Sequence, residues 1–251
     1  MDPTGSRGRV DPLGNRILAG LPTTEYERIA AALEPVNLPR STVLDRPNEE
    51  IEYVYFPTSG IASIIALGEE GEAVDTTLIG REGMTGLAVF LGSGQMPVAT
   101  AVQLPLKGVR LGANALRAEL ARDGALVDRL RRYTQVVMVS LVQLTLCNRA
   151  HRLDQRAARW LLQVDERVDE SPFEVTQEFL AAMIGVQRPS VSLAVRQFKD
   201  AGLISYSRGR IMILDREGLL GRSCGCIRIM REEERRLRDA PRSGPGLTPF
   251  G

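Results

Sequence analysis

One histidine and three cysteines in 251 residues leave this chain poor in the groups that do covalent and metal chemistry. His151 stands in the run Arg149-Ala150-His151-Arg152, where a polar surface or interface role suits it better than catalysis. Acyl transfer would want a serine or cysteine beside a histidine and a positioning carboxylate, and this set is not offered. Cys147 lies in an apolar helical run and reads as a small buried hydrophobe. Cys224-Gly225-Cys226 brings two thiols without a nearby histidine, too few for a closed tetrahedral site, so no metal is expected. Three such cysteines make no disulfide framework, and reduced, chemically idle thiols fit the cytoplasm. Neither a phosphate-cradling loop nor a dinucleotide fingerprint is present, which argues against an enzyme. No apolar run approaches the roughly 20 residues that span a bilayer, and the N-terminus has no apolar signal core, so neither a membrane nor export is expected. The single tryptophan, Trp160, shares helical spacing with Ala157, Leu161 and Val164 and reads as a core anchor. A net charge of +1 favours a polyanionic partner only if charge is segregated along the chain.

Segregation is present between residues 173 and 214. Phe179, Leu180, Met183 and Ile184 recur at helical spacing, Gly185 interrupts, and Val191, Val195 and Phe198 resume on one face before Gly202. Two short amphipathic helices broken around one glycine are the sequence form of a helix-turn-helix, and glycine suits a bend that needs positive φ. Pro189 is tolerated in the first turn of the second helix, where its missing N–H has no intrahelical partner. Arg188, Ser192 and Arg196 are then candidate base contacts, because arginine presents a two-pronged donor to guanine in the major groove. Thr176, Gln177, Ser190, Lys199, Arg208 and Arg210 are candidate phosphate contacts, the two arginines at the tip of a predicted hairpin. From 186 to 210 these five cations, Arg188, Arg196, Lys199, Arg208 and Arg210, face Asp200 alone, the imbalance that phosphate binding asks for.

The run Thr176-Gln177-Glu178-x-Leu180-Ala181, then Gly185-x-x-Arg188-x-Ser190-Val191-Ser192, then Gly202-Leu203-Ile204 and a basic wing, resembles the winged helix-turn-helix of Crp–Fnr bacterial transcription regulators. The resemblance puts Arg188, Pro189 and Leu193 at that family's principal base-reading positions. Members commonly carry a glutamate at the second and an arginine or other polar residue at the third. An operator departing from the family's best-known sequences is therefore expected.

Upstream, between about 36 and 112, the pattern is of short β-type runs. They include Val36–Leu38, Tyr53–Phe56, Ile61–Ile65, Val74–Leu78 and Ala99–Val102, punctuated by Pro39, Pro57, Gly60, Gly80 and Pro105. Such spacing predicts an antiparallel sandwich, barrel or roll. The order resembles the family's cyclic-nucleotide-binding-like β-roll, and the segment Arg81-Glu82-Gly83-Met84-Thr85-Gly86 marks the candidate effector pocket. Leu87 follows where the family places a carboxylate for the ribose, and Gln95 to Ala99 contains no arginine for the phosphate. An anion left unpaired in a partly dry pocket is costly. Binding of cAMP is not expected, and an effector of any kind is left unidentified.

Before the strands, helices are predicted near Asn15 to Leu18 and from a Thr24 cap to Leu33; after them, one follows an Asn114 cap. Ala125 to Arg149 then forms one long helical run. Its stripe is Val127, Leu130, Thr134, Val137, Leu141, Leu144 and Asn148, spaced as a heptad seam. Period alone leaves open whether the partner is intramolecular or a second subunit; the resemblance implies a twofold dimer interface.

The fold expected is α+β: flexible residues 1–15, an antiparallel β-roll (jelly-roll) sensory domain over 16–122, a dimerisation helix over 123–149, a winged helix-turn-helix over 150–238 and a flexible tail over 239–251. The function expected is a homodimeric regulator binding double-stranded DNA at a pseudo-palindromic operator, with RNA polymerase a further partner implied by the resemblance. The alternative is a ligand- or protein-binding sensor with weakened DNA specificity.

Overall fold

Two long antiparallel strands carry the N-terminal half of the computed structural model, which describes residues 10–68 and 73–239. A 3₁₀ turn and helices α1 (Arg16–Ala19) and α2 (Thr23–Ala30) precede strands β1 (Glu34–Leu38), β2 (Val43–Asp45), β3 (Tyr53–Leu67) and β4 (Ala73–Ile79). A short helix α3 (Leu87–Phe90) leads to β5 (Ala99–Gly112), α4 (Ala113–Leu120) and the long α5 (Ala125–Ala150). The C-terminal half has α6 (Leu153–Asp165), β6 (Phe173–Glu174), α7 (Gln177–Ile184), α8 (Arg188–Asp200), the hairpin β7 (Ile204–Ser207) and β8 (Arg210–Ile213), α9 (Arg216–Arg222) and α10 (Cys226–Asp239). The first sheet runs β1-β5-β3-β4 with β2 also on β5, and the second runs β6-β8-β7.

Pro57 and Pro105, expected to end strands, lie inside β3 and β5. The register slips between Pro57, Ser59 and Ile61, so the ladder accommodates residues without an N–H at bulges. Gly60 at the same place has φ +87 and lies so close to the Pro105 carbonyl that an added Cβ would sit 2.1 Å from it. The predicted runs Tyr53–Phe56 and Ile61–Ile65 are thus parts of one continuous strand, and Ala99–Val102 begins another.

Of the expected flexible ends, residues 1–9 and 240–251 lie outside the described residues. Residues 10–15 correct the expectation, because Asn15 is wholly buried. Its side chain accepts from the Ile17 and Leu18 amides and donates to the carbonyls of Pro57 (2.9 Å) and Gly83 (2.8 Å). Pro22 rather than Thr24 caps α2, and Gly112 rather than Asn114 caps α4.

The first half of α5 packs beneath the sheet, where Leu126, Leu130, Tyr133 and Val136 share a core with Val54, Phe56, Met84 and Leu111. This corrects the expected seam. Val127 and Leu130 are buried in their own chain, Val137 packs against the same core, and Leu144 lines a crevice with Trp160 and Met183. Thr134 is half-buried, with its hydroxyl bonded back to the Leu130 carbonyl, and Asn148 is exposed. The apolar side chains that α5 leaves in solvent are Met138, Leu141, Val142 and Leu146, a stripe that shares only Leu141 with the predicted one. The C-terminal core centres on Trp160, edge-on to Phe179 at 5.9 Å, and continues into Ile61 and Leu104 of the first sheet.

Candidate nucleic-acid interface

Gly185 ends α7 at φ 65, ψ 50, the left-handed conformation that the break between the two apolar runs predicted. The turn sets α8 so that Val191, Ala194, Val195 and Phe198 face the core. Arg188, Pro189, Ser190, Leu193, Arg196, Gln197 and Lys199 are left exposed, and Leu193 shows 60 % of its surface. The hairpin β7–β8 turns through Arg208 and Gly209, both at positive φ, which holds Arg208 at an exposed tip.

The structure brings the candidate DNA contacts onto this C-terminal half but does not leave all of them free. Arg188 is solvent-facing yet lies 2.8 Å from Glu178 on α7. The Ser192 hydroxyl donates to Gln177 Oε1 at 2.6 Å, so these two candidates satisfy each other in the isolated chain. Thr176 caps α7 by accepting from the Phe179 amide. Arg196 has only a loose pairing with Asp200 at 3.8 Å. Arg210 turns away from the wing tip, donating to the Pro172 carbonyl at 2.9 Å and lying 3.9 Å from Glu174. Lys199 and Arg208 have no carboxylate partner among the described residues. Glu174 and Glu178 fall outside the stretch whose charge predicted the interface, which is why their restraint on Arg210 and Arg188 was not foreseen.

The candidate effector segment divides between two environments. Met84 and Gly86 line a narrow cleft of about 20 Å³, with Asp45, Arg46, Leu87, Thr100 and Tyr133. Thr85 is buried and accepts from the Tyr55 amide, and a Cβ added to Gly83 would sit 2.3 Å from Tyr133. Arg81 and Glu82 correct the expectation, since they point to the DNA-binding half instead. Arg81 pairs with Asp169 at 2.5 Å, and Glu82 is buried against Arg167. Asp45 was not anticipated in the cleft. It is 9 % exposed, its Oδ2 has no hydrogen-bond partner, and burial lifts its carboxyl to about 6 despite a bond from Thr100. A polar residue on a three-residue strand gave no periodic signal to find it by.

The cysteines also depart from expectation. Cys147 is buried, but it lies 3.4 Å from Cys224, and His151 Nδ1 lies 3.5 Å from the Cys226 sulfur. A histidine is therefore close to both thiols of Cys224-Gly225-Cys226.

Comparison with known proteins agrees with this architecture. Residues 155–222 match the family model described as a Crp-like helix-turn-helix domain. Over 219 residues the chain is 25 % identical to a CRP-like cAMP-activated global transcriptional regulator of Mycobacterium tuberculosis, covering 82 % of this chain and 96 % of that protein. The structure of FixK2 from Bradyrhizobium japonicum has a similar fold, with TM-score 0.66 at 16 % identity over 77 % of this chain and 98 % of that one. A Crp/Fnr-family regulator from Eubacterium rectale does too, with TM-score 0.58 at 22 % identity over 84 % and 97 %. The Mycobacterium protein's description does not bear out an expectation against cAMP. Its relatives are regulators rather than enzymes, and among the described residues no helix is long and apolar enough to cross a membrane. Residues 155–222 thus carry a Crp-like helix-turn-helix domain, and with its antiparallel sheet and long helix the whole chain is similar to transcription regulators of the Crp–Fnr family.

Proposed function

We propose that two copies of this chain bind a pseudo-palindromic operator in the cytoplasm, each placing α8 in a major groove. The observation that carries this reading is the outer face of α8, where Arg188 and Arg196 project beside Leu193 while the opposite face is packed. Arg188 reads guanine, Leu193 meets an apolar base edge such as a thymine methyl, and Arg208 and Lys199 hold phosphates. Ser192 and Arg196 complete the base contacts, with Thr176, Gln177, Ser190 and Arg210 placed for phosphate. Arg188 must exchange Glu178 for the base, and Ser192 must exchange Gln177, so part of the interface is held in reserve until DNA arrives. RNA polymerase is the further partner of a regulator so placed.

A dimer is supported by the stripe Met138, Leu141, Val142 and Leu146, which continues α5 beyond the part covered by its own core. Two recognition helices about one DNA turn apart multiply a modest half-site affinity. In the cleft, Asp45, whose Oδ2 has no partner, disfavours a second negative charge although Arg46 also lines the wall, and Leu87 offers no acceptor for a ribose hydroxyl. This chemistry favours an uncharged or cationic effector over cAMP, although the Mycobacterium relative is described as cAMP-activated. Tyr133 joins the cleft to α5 by donating to the Met84 carbonyl at 3.1 Å, so occupancy of the cleft bears directly on the long helix. Such an effector shifts the population of DNA-binding arrangements.

Selection of bound fragments from a random duplex pool tests the reading. A symmetric consensus supports it, and recovery of no sequence above background contradicts it. Calorimetric titration with cAMP tests the effector; tight binding overturns the assignment made from Asp45.

A further inference from the structure

Four metal-ligating side chains converge where the long helix hands over to the DNA-binding half. Cys147 and His151 lie one turn apart at the end of α5, with the His151 amide bonded to the Cys147 carbonyl at 3.1 Å. Cys224 lies in the turn after α9, and Cys226 opens α10. Their ligand atoms all lie within 4.8 Å of one another. The near pairs are Cys147 and Cys224 sulfurs at 3.4 Å and Cys226 sulfur with His151 Nδ1 at 3.5 Å. Tetrahedral zinc with the usual bond lengths requires ligand edges of about 3.8 Å between sulfurs and about 3.6 Å from sulfur to nitrogen. The sulfurs are far from the roughly 2 Å of a disulfide, and all three cysteines are free and buried.

We propose that Cys147, His151, Cys224 and Cys226 form a closed three-cysteine, one-histidine site for Zn²⁺. Binding releases three thiol protons to solvent and leaves a complex of net charge −1, with no change of oxidation state. The surroundings suit that charge. Arg156 and Arg159 of α6 each bury an Nε that has no partner, and neither has a carboxylate partner among the described residues. A buried Arg159 and a half-buried Arg156 without carboxylates would be poorly compensated by neutral thiols, whereas thiolates on zinc balance them.

The consequence is mechanical. Zinc ties the start of α10 to the end of α5, and α10 also delivers Glu234 to Arg167 at 2.6 Å. The metal therefore sets how the DNA-binding half sits on the long helix.

Full-length protein without a metal-binding tag, purified reduced and dialysed, is expected to retain one zinc per chain by plasma mass spectrometry. Exchange into Co²⁺ should give thiolate-to-cobalt charge-transfer and tetrahedral d–d absorption. Cys226→Ser and His151→Ala should each lower zinc affinity by at least about tenfold, the loss that even outer-shell changes cause. His151→Cys, which rebuilds a four-ligand site, should retain zinc and controls for misfolding. Folded, reduced wild type that holds neither zinc nor cobalt overturns the site. So does zinc content unchanged in both ligand-removal variants, or iron with acid-labile sulfide in place of zinc.

Discussion

The Arg167 Nε lies 3.0 Å from the Glu82 carboxylate, with the two side chains only 4 % and 5 % exposed. Glu82 follows β4 in the sensory half, and Arg167 follows α6 in the DNA-binding half. Arg167 also donates to the Gln163 carbonyl at 2.9 Å and meets Glu234 of α10. Nearby, the Gly60 amide donates to the Arg167 carbonyl and the Asp169 amide to the Ser59 hydroxyl. Burial opposes the Arg167 charge, and the two carboxylates more than offset it, holding the guanidinium above its ordinary range. The halves are thus joined by a desolvated ionic cluster that has to reorganise for them to separate.

Arg167→Leu strands Glu82 without its cation and leaves Glu234 only the looser pairing with Arg16 at 3.7 Å. Removing one member of a buried ionic cluster typically costs about 3–5 kcal/mol, so a loss of that order in urea unfolding is expected. A loss below about 1 kcal/mol would mean that the cluster opens without penalty.

Asp45 gives the stability a defined pH dependence. Its carboxyl moves from 3.8 to about 6 because burial penalises the charge, with Thr100 opposing. The folded chain therefore holds this proton more tightly than the unfolded one. Stability falls as pH rises through that window and stays reduced above it. At about 1.4 kcal/mol per pKa unit the penalty at neutral pH is roughly 2–3 kcal/mol. Asp45→Asn should remove this component of the slope and stabilise the protein at neutral pH. Urea midpoints followed from about pH 4 to about pH 8 check it; identical slopes in the two proteins would refute the burial cost.

The DNA-binding half was legible because its signals are local. Gly185, Pro189 and the apolar positions of α7 and α8 lie within one short stretch, and each has its own conformational reason. Pro57 and Pro105 misled because a proline signals a break, and only the pairing of β3 with β5 shows that a bulge absorbs it. The heptad seam failed differently. Its period was sound, but period does not say which neighbour covers a residue, and Leu130 is taken by the chain's own sheet. Glu82 with Arg167 and Cys147 with Cys224 are 85 and 77 residues apart, beyond the reach of any spacing rule.

Val142 tests the proposed dimer face, since it is 65 % exposed in the middle of the stripe. Val142→Glu places like charges opposite each other in a twofold contact while leaving the monomer's core untouched. Sedimentation should show a monomer with wild-type circular dichroism, and operator affinity should fall at least about tenfold as the linked second half-site is lost. A dimer of unchanged stability would place the interface elsewhere.

The wing and the recognition helix should respond differently to salt. Arg208→Ala removes one phosphate contact per copy, so it should weaken all duplexes alike and lower the salt slope of the dimer by about two. Glu178→Gln removes a negative charge beside the DNA-facing surface and should tighten binding to duplexes of any sequence. Filter binding at several salt concentrations reads both; an unchanged slope for Arg208→Ala would remove the wing from the interface.

Anisotropy titration of wild type and Arg188→Ala against a selected operator and a scrambled duplex bears most directly on how α8 is used. Arg188→Ala should lose about 1–3 kcal/mol on the operator and tolerate other bases at one position per half-site, with little change on the scrambled duplex. Equal affinity of the two proteins for the operator would contradict base reading by Arg188 and, with it, the placement of α8 in the groove.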